Sequence, residues 1–388
     1  MEKIIIMSKN NYALMINKSY LLIVAFLLSF NSFGEDGKLE YYLKDENIRY
    51  AVAQLFVVGY PADIVNYTSC GECDYLVNEL KIGGIMLNQY NLPENKLRKY
   101  EKSSAFRMLT RLVQDIDIRS RGNIRTKYVL PPSIVVDFEN YRYASIKYPL
   151  SSIPSALAIA SSGDTTNAYL GGKLAGYHLG QAGIDVILGP VLDKNLNMVQ
   201  GVPNSTIRDR AFSDRQKIIY AYASEYIKGL KTSRMNVFAK HYPSYSSIDG
   251  NAHSTASSFI GSYESLRDDL EIFKELDKDV DGFMTSHLNI GETSSYLPFT
   301  FSRNQVEGSF RSEDGVDSRN ILITDDLSNM QPVKTYMSDR HRTFAQISLD
   351  AFLAGHDLLL FSHYGKGQNF NKKETWSLFY FSRLCIAR

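Results

Sequence analysis

The sequence predicts an α/β protein of the (β/α)8 TIM-barrel class, and three observations carry that prediction. Short apolar runs alternate with longer amphipathic stretches, as parallel strands do when crossover helices join them. Several of the amphipathic stretches stop at glycine, where helices commonly end. Polar residues gather at the C-terminal ends of the apolar runs, the side of a barrel on which active sites are built.

The strand candidates, in order, are QLFVVGY (54 to 60), IGGIMLN (82 to 88), SIVVDFE (133 to 139), DVILGPVLD (185 to 193), NVFAKHY (236 to 242), GFMTSHLNI (282 to 290), NILITDDL (320 to 327) and HDLLLF (356 to 361). Helical patterns between them include 165 to 183, 215 to 233, 263 to 278 and 342 to 355. Eight such units make one barrel, so residues 35 to 388 read as a single domain. After HDLLLF comes SHYGKGQNFNKKETWSLFYFSRLCIAR, rich in aromatics and holding the single tryptophan. Within it WSLFYFSRL reads as a short apolar helix face; the alternative is an incomplete or altered last helix of the barrel.

Of 388 residues 44% are hydrophobic, ample for a large core. The 43 basic and 42 acidic side chains, net +1, are interspersed and build no field for nucleic acid or anionic membranes. Residues 1 to 34 differ in kind. Lys18 precedes the apolar run Leu21 to Phe30, then come Ser32, Gly34 and the acids Glu35 and Asp36. That is the order of a secretory signal, and its apolar part is short for a membrane span. The expected protein is exported to a periplasmic or extracellular space and free of the membrane after cleavage near Glu35; an uncleaved N-terminal anchor is the alternative. In such a compartment Cys70 and Cys73 are expected to close a small disulfide, leaving Cys385 over.

The polar strand ends are Asp137 and Glu139, Asp193, Lys240 and His241, His287, and Asp325 and Asp326. Because side chains alternate along a strand, only one acid of the Asp325-Asp326 pair faces the mouth, and the other turns outward or caps the next helix. A carboxylate kept ionised among cations can serve as a nucleophile. Lys240 and His241 suit sugar hydroxyls, a phosphate or a carboxylate equally well. Arg210, after the fourth strand, either serves a ligand or pairs with Asp209; Arg142 holds the corresponding place after the third. His241 and His253 with an acid do not match a common zinc spacing. Neither metal nor organic cofactor is implied.

The order of QLFVVGYP, IGGIMLNQYN, VDFENYR, LAGYHLGQAGIDVILGPVLDKN, TIRDRAFSD, FAKHYP, FMTSHL, ILITDDLSNM and AGHDLLLF, from about Ala53 to Phe361, resembles the catalytic domain of glycoside hydrolase family 3, in its β-N-acetylhexosaminidase branch. That resemblance implies retaining hydrolysis of a β-linked terminal sugar, with Asp325 as nucleophile. It implies that Asp137, Arg210, Lys240 and His241 hold the sugar hydroxyls, with Arg142 in support. It also implies that a histidine on the loop after the fifth strand, here His253, is the acid/base. In the branch that loop usually reads Lys-His-Phe-Pro-Gly-His-Gly, followed by Asp-x-His, the Asp orienting the histidine and supporting its charge. Here the Asp is Asn251, and Gly-His-Gly is Ser244-Tyr245-Ser246. An amide still accepts an imidazole N–H, but it supplies no charge to favour imidazolium, so the implied acid/base is slower. Asp249, four residues before His253, is a possible substitute for the missing acid.

The expected function is thus an exported, monomeric exo-glycosidase that removes terminal β-linked N-acetylglucosamine from peptidoglycan-derived or chitin-like oligosaccharides. The alternative is a catalytically weakened sugar-binding protein of the same fold.

Overall fold

The structure, a computed structural model, describes residues 48–122, 130–139, 142–196, 206–248, 250–290, 296–313 and 315–363. The expected leader, Asp249, Cys385 and the aromatic tail from 364 onward lie outside the described residues.

All eight predicted runs contain strands: β1 (Phe56–Gly59), β2 (Gly84–Met86), β3 (Ser133–Asp137), β4 (Val186–Val191), β5 (Asn236–Tyr242), β6 (Gly282–Thr285), β7 (Ile321–Thr324) and β8 (Leu359–Phe361). They run parallel in the order β7-β6-β5-β4-β3-β2-β1-β8. The two ends of that sheet meet, since Thr324 N–H donates to the Leu358 carbonyl at 3.0 Å and Leu327 N–H to Leu360 at 2.8 Å. The result is a nearly closed TIM barrel.

Alternation along each strand sorts the side chains into two layers. Val57, Met86, Val135, Leu188, Phe238, Met284, Ile323 and Leu360 fill the barrel interior. Their neighbours Phe56, Val58, Ile85, Ile134, Val136, Ile187, Val237, Phe283 and Leu322 point outward into the layer shared with the helices. Gly282 is an interior position beside a large one: a Cβ there would lie 2.3 Å from the Phe238 ring. Here a small residue makes room for a large one, as in the side-chain layers that fill such barrels.

The principal helices are α1 (Lys102–Gly122), α2 (Thr166–Gln181), α3 (Gln216–Lys231), α4 (Tyr263–Leu276), α5 (Gln331–Asp339) and α6 (Phe344–Ala354). In α3 the buried residues Ile219, Tyr222, Ala223, Tyr226, Ile227 and Leu230 recur at three and four, the stripe that faces a core. Helices α2 and α3 touch backbone to backbone, because a Cβ on Gly172 would lie 2.0 Å from the Tyr226 carbonyl oxygen and one on Gly229 2.2 Å from that of Tyr169. Chain ends of the helices follow local chemistry. Ser262 caps α4, Thr343 and Gln346 form a reciprocal capping box on α6, and Gly355 ends α6 at φ 116°.

One boundary departs from expectation. β6 stops at Thr285 instead of continuing to 290. Beyond it the chain leaves the wall and pairs with the loop that follows β5: Phe259 N–H donates to the Asn289 carbonyl at 2.9 Å, and Asn289 N–H to Ser257 at 3.2 Å. Cys70 and Cys73 are joined by a disulfide with Cα atoms 5.2 Å apart. No helix among the described residues is long and apolar enough to cross a membrane.

Candidate active site

The C-terminal ends of β3, β4 and β5 bring together a charged cluster that is almost wholly buried. Lys240 and His241 end β5, with a cis peptide between them. The Lys240 ammonium lies between two carboxylates, donating to Asp137 Oδ1 and, at 2.8 Å, to Glu139 Oε1. Glu139 in turn takes a two-pronged bond from Arg210, Nε to Oε2 at 2.7 Å and Nη2 to Oε1 at 2.8 Å. Arg210 also donates to the Thr206 carbonyl at 2.9 Å and lies under the Tyr143 ring at 5.5 Å. Lys240, Arg210 and Glu139 have side chains less than a tenth exposed.

Burial alone would raise the Glu139 carboxyl; Arg210 and Lys240 outweigh it and hold Glu139 far below the usual carboxylate range. Burial would likewise discharge Lys240, but Asp137 and Glu139 raise it above its ordinary value against the opposing Arg210. The cluster is therefore charged and mutually compensated, which is what makes buried ions tolerable.

His241 is fixed from both sides. Its Nδ1 is 2.7 Å from Asp193 Oδ2, which also accepts the His241 backbone N–H at 3.1 Å. Its Nε2 is 3.3 Å from Arg210 Nη2, which can only donate, so Nε2 accepts and the Nδ1 hydrogen faces Asp193. Arg142 differs from this group: its side chain is 68% exposed at the rim, with Asp209 Oδ1 3.9 Å away. Asp209 thus stands beside Arg142, and Arg210 takes Glu139 instead. Next to Asp137 a cleft of about 340 Å³ opens, lined among others by Asn88, Gln89, Tyr90, Arg142 and His363.

Across the mouth, the turn after β7 separates its two acids. Asp325 Oδ1 accepts the Asp326 N–H at 2.8 Å, and Oδ2 lies 3.4 Å from the Tyr245 hydroxyl. Burial raises the Asp325 carboxyl, but His287, His241, the Asp326 amide and His253 together bring it below its usual value. It stays ionised at neutral pH. Asp326 points away from it and accepts from the amides of Ser328, Asn329 and Ser362 at 3.2, 3.1 and 2.8 Å, capping the following turn and tying it to the end of β8. His287 sits behind both acids, bound to Thr300 Oγ1 at 2.6 Å and the Asp326 carbonyl at 3.1 Å.

The loop after β5 has two unlike halves. Its base is buried and polar: Ser244 Oγ donates to Asp269 Oδ2 at 2.6 Å, Lys194 reaches Asp269 Oδ1 at 2.8 Å, and Ser246 Oγ accepts the Lys194 amide at 2.8 Å. Its tip carries Asn251, half-buried, and His253, exposed. Asn251 Oδ1 accepts the backbone N–H of His253 at 3.0 Å, and the Asn251 carbonyl accepts from Ser254 and Thr255 at 2.8 and 2.7 Å. Asn251 thus builds the turn, and its side chain is spent on the main chain instead of the imidazole. The surrounding walls lower the His253 pKa. Asp325 pulls it up, Arg210 and His241 push it down, and the net direction is down.

The model of the glycosyl hydrolase family 3 N-terminal domain matches residues 48–371. The chain belongs to glycosyl hydrolase family 3. A β-hexosaminidase from Photobacterium profundum is 26% identical over 309 residues, 79% of this chain and 82% of its own length. A family 3 β-N-acetylglucosaminidase from Paenibacillus sp. strain FPU-7 superposes with a TM-score of 0.67 at 20% identity, over 88% of this chain and 63% of that one. NagZ from Neisseria gonorrhoeae, solved in complex with N-trifluoroacetyl-D-glucosamine, gives 0.63 at 18% identity over 86% and 92%. These family 3 structures share the barrel, and the family makes this chain a glycoside hydrolase.

Two residues of the site escaped the sequence reading as site residues. Glu139 was visible as a strand-end acid, but its place at the centre of the cluster depends on a partner 71 positions away. Tyr245 was visible only as a replacement within the loop. Its hydroxyl reaches the nucleophile candidate because its amide is held by Asp193 and its ring packs on His241 with centroids 4.9 Å apart.

Proposed function

We propose that this chain is a retaining exo-β-N-acetylglucosaminidase. The observation that carries the reading is the opposition of Asp325, ionised and held at Oδ1, to the Asp137–Lys240–Glu139–Arg210–His241 cluster, with His253 near enough for its charge to interact with Asp325, Arg210 and His241. The β-hexosaminidase relative and the neighbour solved with an N-acylated glucosamine support the choice of sugar.

Asp137, Lys240, Arg210 and His241 take the hydroxyls of the terminal sugar, with Arg142 entering from the rim. The Asp325 carboxylate attacks the anomeric carbon as the glycosidic C–O bond breaks, and the His253 imidazolium gives its proton to the departing oxygen. Neutral His253 then takes a proton from water, which attacks the same carbon and expels Asp325. Two inversions give net retention. An imidazole replaces the second carboxylate of the usual pair, as its titration near neutrality permits.

The substrates are terminal β-N-acetylglucosaminides of cell-wall or chitin-like oligosaccharides, met outside the cytoplasm. Support for export comes from the Lys18 and Leu21-to-Phe30 leader pattern and from the Cys70–Cys73 bridge, which suits an oxidising compartment. N-terminal sequencing of the secreted protein checks this: the mature chain should begin near Glu35, and an intact Met1 in the membrane fraction contradicts it.

A second reading has its own observation. Asn251 binds the His253 main chain, and among the described residues the imidazole has no hydrogen-bonded orienting partner. This favours a sugar-binding protein with weak turnover. The two part on a chromogenic β-N-acetylglucosaminide assayed with wild type, Asp325→Asn and Asn251→Asp. Turnover lost in Asp325→Asn supports the enzyme. Sugar binding without turnover, repaired by Asn251→Asp, supports the weakened site.

A further inference from the structure

We infer that Tyr245 is a positioning residue for the nucleophile, its phenol O–H holding Asp325 Oδ2 while the Asp326 amide holds Oδ1. The inference rests on Asp325 being the nucleophile, but the contact it invokes is testable without turnover.

Tyr245 Oη accepts the backbone N–H of His287 at 2.7 Å, and its own hydrogen has an acceptor in Asp325 Oδ2, 3.4 Å away. That separation is long for O–H···O, as catalytic contacts often are before substrate closes the site. The ring has little freedom to look elsewhere. It is buried against His241, and its amide is bound to Asp193, the same carboxylate that fixes the His241 imidazole. One acid thus sets the registry of a sugar-holding histidine and of the tyrosine facing the nucleophile.

The charges around the pair agree with a donor role. Asp325 faces His287 from beyond β6, His241 from β5 and His253 from the loop; Tyr245 faces Asp325, Asp193 and Tyr296. Burial first, and then the Asp325 charge, push the phenol well above its ordinary pKa. It keeps its proton through the working range and remains a donor. When Asp325 forms the glycosyl ester, its negative charge is consumed and the phenol bond weakens. When water expels the carboxylate, the charge returns and the bond is restored. Loss of the phenol hydroxyl therefore slows the step in which water expels the carboxylate; where that step limits turnover, kcat falls and KM falls with it as the glycosyl-enzyme accumulates.

The test uses the full-length protein labelled with 13C at the aspartate carboxyls, the Asp325 signal being assigned by its loss in Asp325→Asn. Removing a donor from a carboxylate raises its pKa. In Tyr245→Phe the Asp325 titration should move to higher pH, and kcat on a 4-nitrophenyl β-N-acetylglucosaminide should fall about tenfold with KM falling in parallel, as loss of one bond to a charged leaving carboxylate implies. A second variant, 3-fluorotyrosine at 245, keeps the shape and strengthens the donor, so Asp325 should titrate lower than in wild type. An unmoved Asp325 titration in both variants overturns the inference, even if the Phe variant is slow, because a merely structural role would slow the enzyme without touching that carboxyl. If wild type releases no nitrophenolate while the Asp325 titration still follows the Tyr245 hydroxyl, the glycosidase reading fails and the positioning contact stands.

Discussion

The two sides of the mouth are built by different means. Beside the ends of β3 and β5, Asp137, Glu139, Arg210 and Lys240 are each held by at least one partner of opposite charge, and Glu139, Arg210 and Lys240 form a continuous buried chain. At the tip of the loop after β5, His253 is exposed and its neighbour Asn251 serves the main chain. On the proposed function, sugar recognition is preorganised by the barrel, whereas proton transfer depends on a side chain whose orientation is left to the bound state. Mutations on the first side should cost stability and binding together; mutations on the second should cost rate alone.

The largest effect is expected on the buried side. Lys240→Met removes a buried cation from between Asp137 and Glu139, leaving Glu139 to Arg210 alone and Asp137 without its cation, which costs roughly 3 kcal/mol of folding stability. Denaturant unfolding measures this, and a titration with N-acetylglucosamine should show binding lost as well. An unchanged midpoint would mean that the cluster is not the rigid half described above.

His253→Ala should do the reverse. General acid/base catalysis contributes on the order of 10² to 10⁴ in rate, and an exposed loop residue changes stability by about 0.5 kcal/mol or less. The loss should be large for an alkyl leaving group, which needs the proton, and small for dinitrophenolate, which departs without it. Equal losses on both substrates would remove His253 from the acid role.

Smaller effects lie at the junction. Ser244→Ala takes a donor from buried Asp269 and should cost about 1 to 3 kcal/mol in a melting experiment. The pH profile of kcat/KM should be a bell displaced to acid. Its acid limb follows Asp325, whose pKa lies below the ordinary value, since the proposed nucleophile is the ionised carboxylate. Its basic limb follows His253, lowered below the ordinary imidazole value, since the proposed acid is the protonated ring. Asn251→Asp places a negative charge beside His253 and should move the basic limb upward, with a severalfold gain in rate above neutrality. A limb that stays in place would show that residue 251 acts on the main chain only.

How far the sequence carried depends on the kind of interaction. The barrel was legible because strand periodicity is local: NVFAKHY predicted a strand over 236 to 242, and β5 is Asn236–Tyr242. GFMTSHLNI overran at 290, since what ends β6 is pairing with Ser257 and Phe259, which no local pattern announces. Asp325 and Lys240 were legible as polar strand ends. The partners were not. Arg210 is open to Asp209 next door in sequence and takes Glu139 at the end of the neighbouring strand β3, because residues 206–212 lie beside that strand end. Gly-His-Gly replaced by Ser-Tyr-Ser read as a loss of supports. In three dimensions Ser244 and Ser246 tie the loop base to Asp269 and Lys194, and Tyr245 reaches Asp325.

The most direct measurement is release of 4-nitrophenolate from 4-nitrophenyl N-acetyl-β-D-glucosaminide and from the matching β-glucoside, by wild type and Asp325→Asn, with thermal melting as a control for folding. Turnover of the N-acetyl substrate by wild type, lowered at least about 10³-fold in a folded Asp325→Asn protein, is the expected result. Equal rates in the two proteins, or cleavage of the glucoside alone, would contradict an N-acetylglucosaminidase working through Asp325.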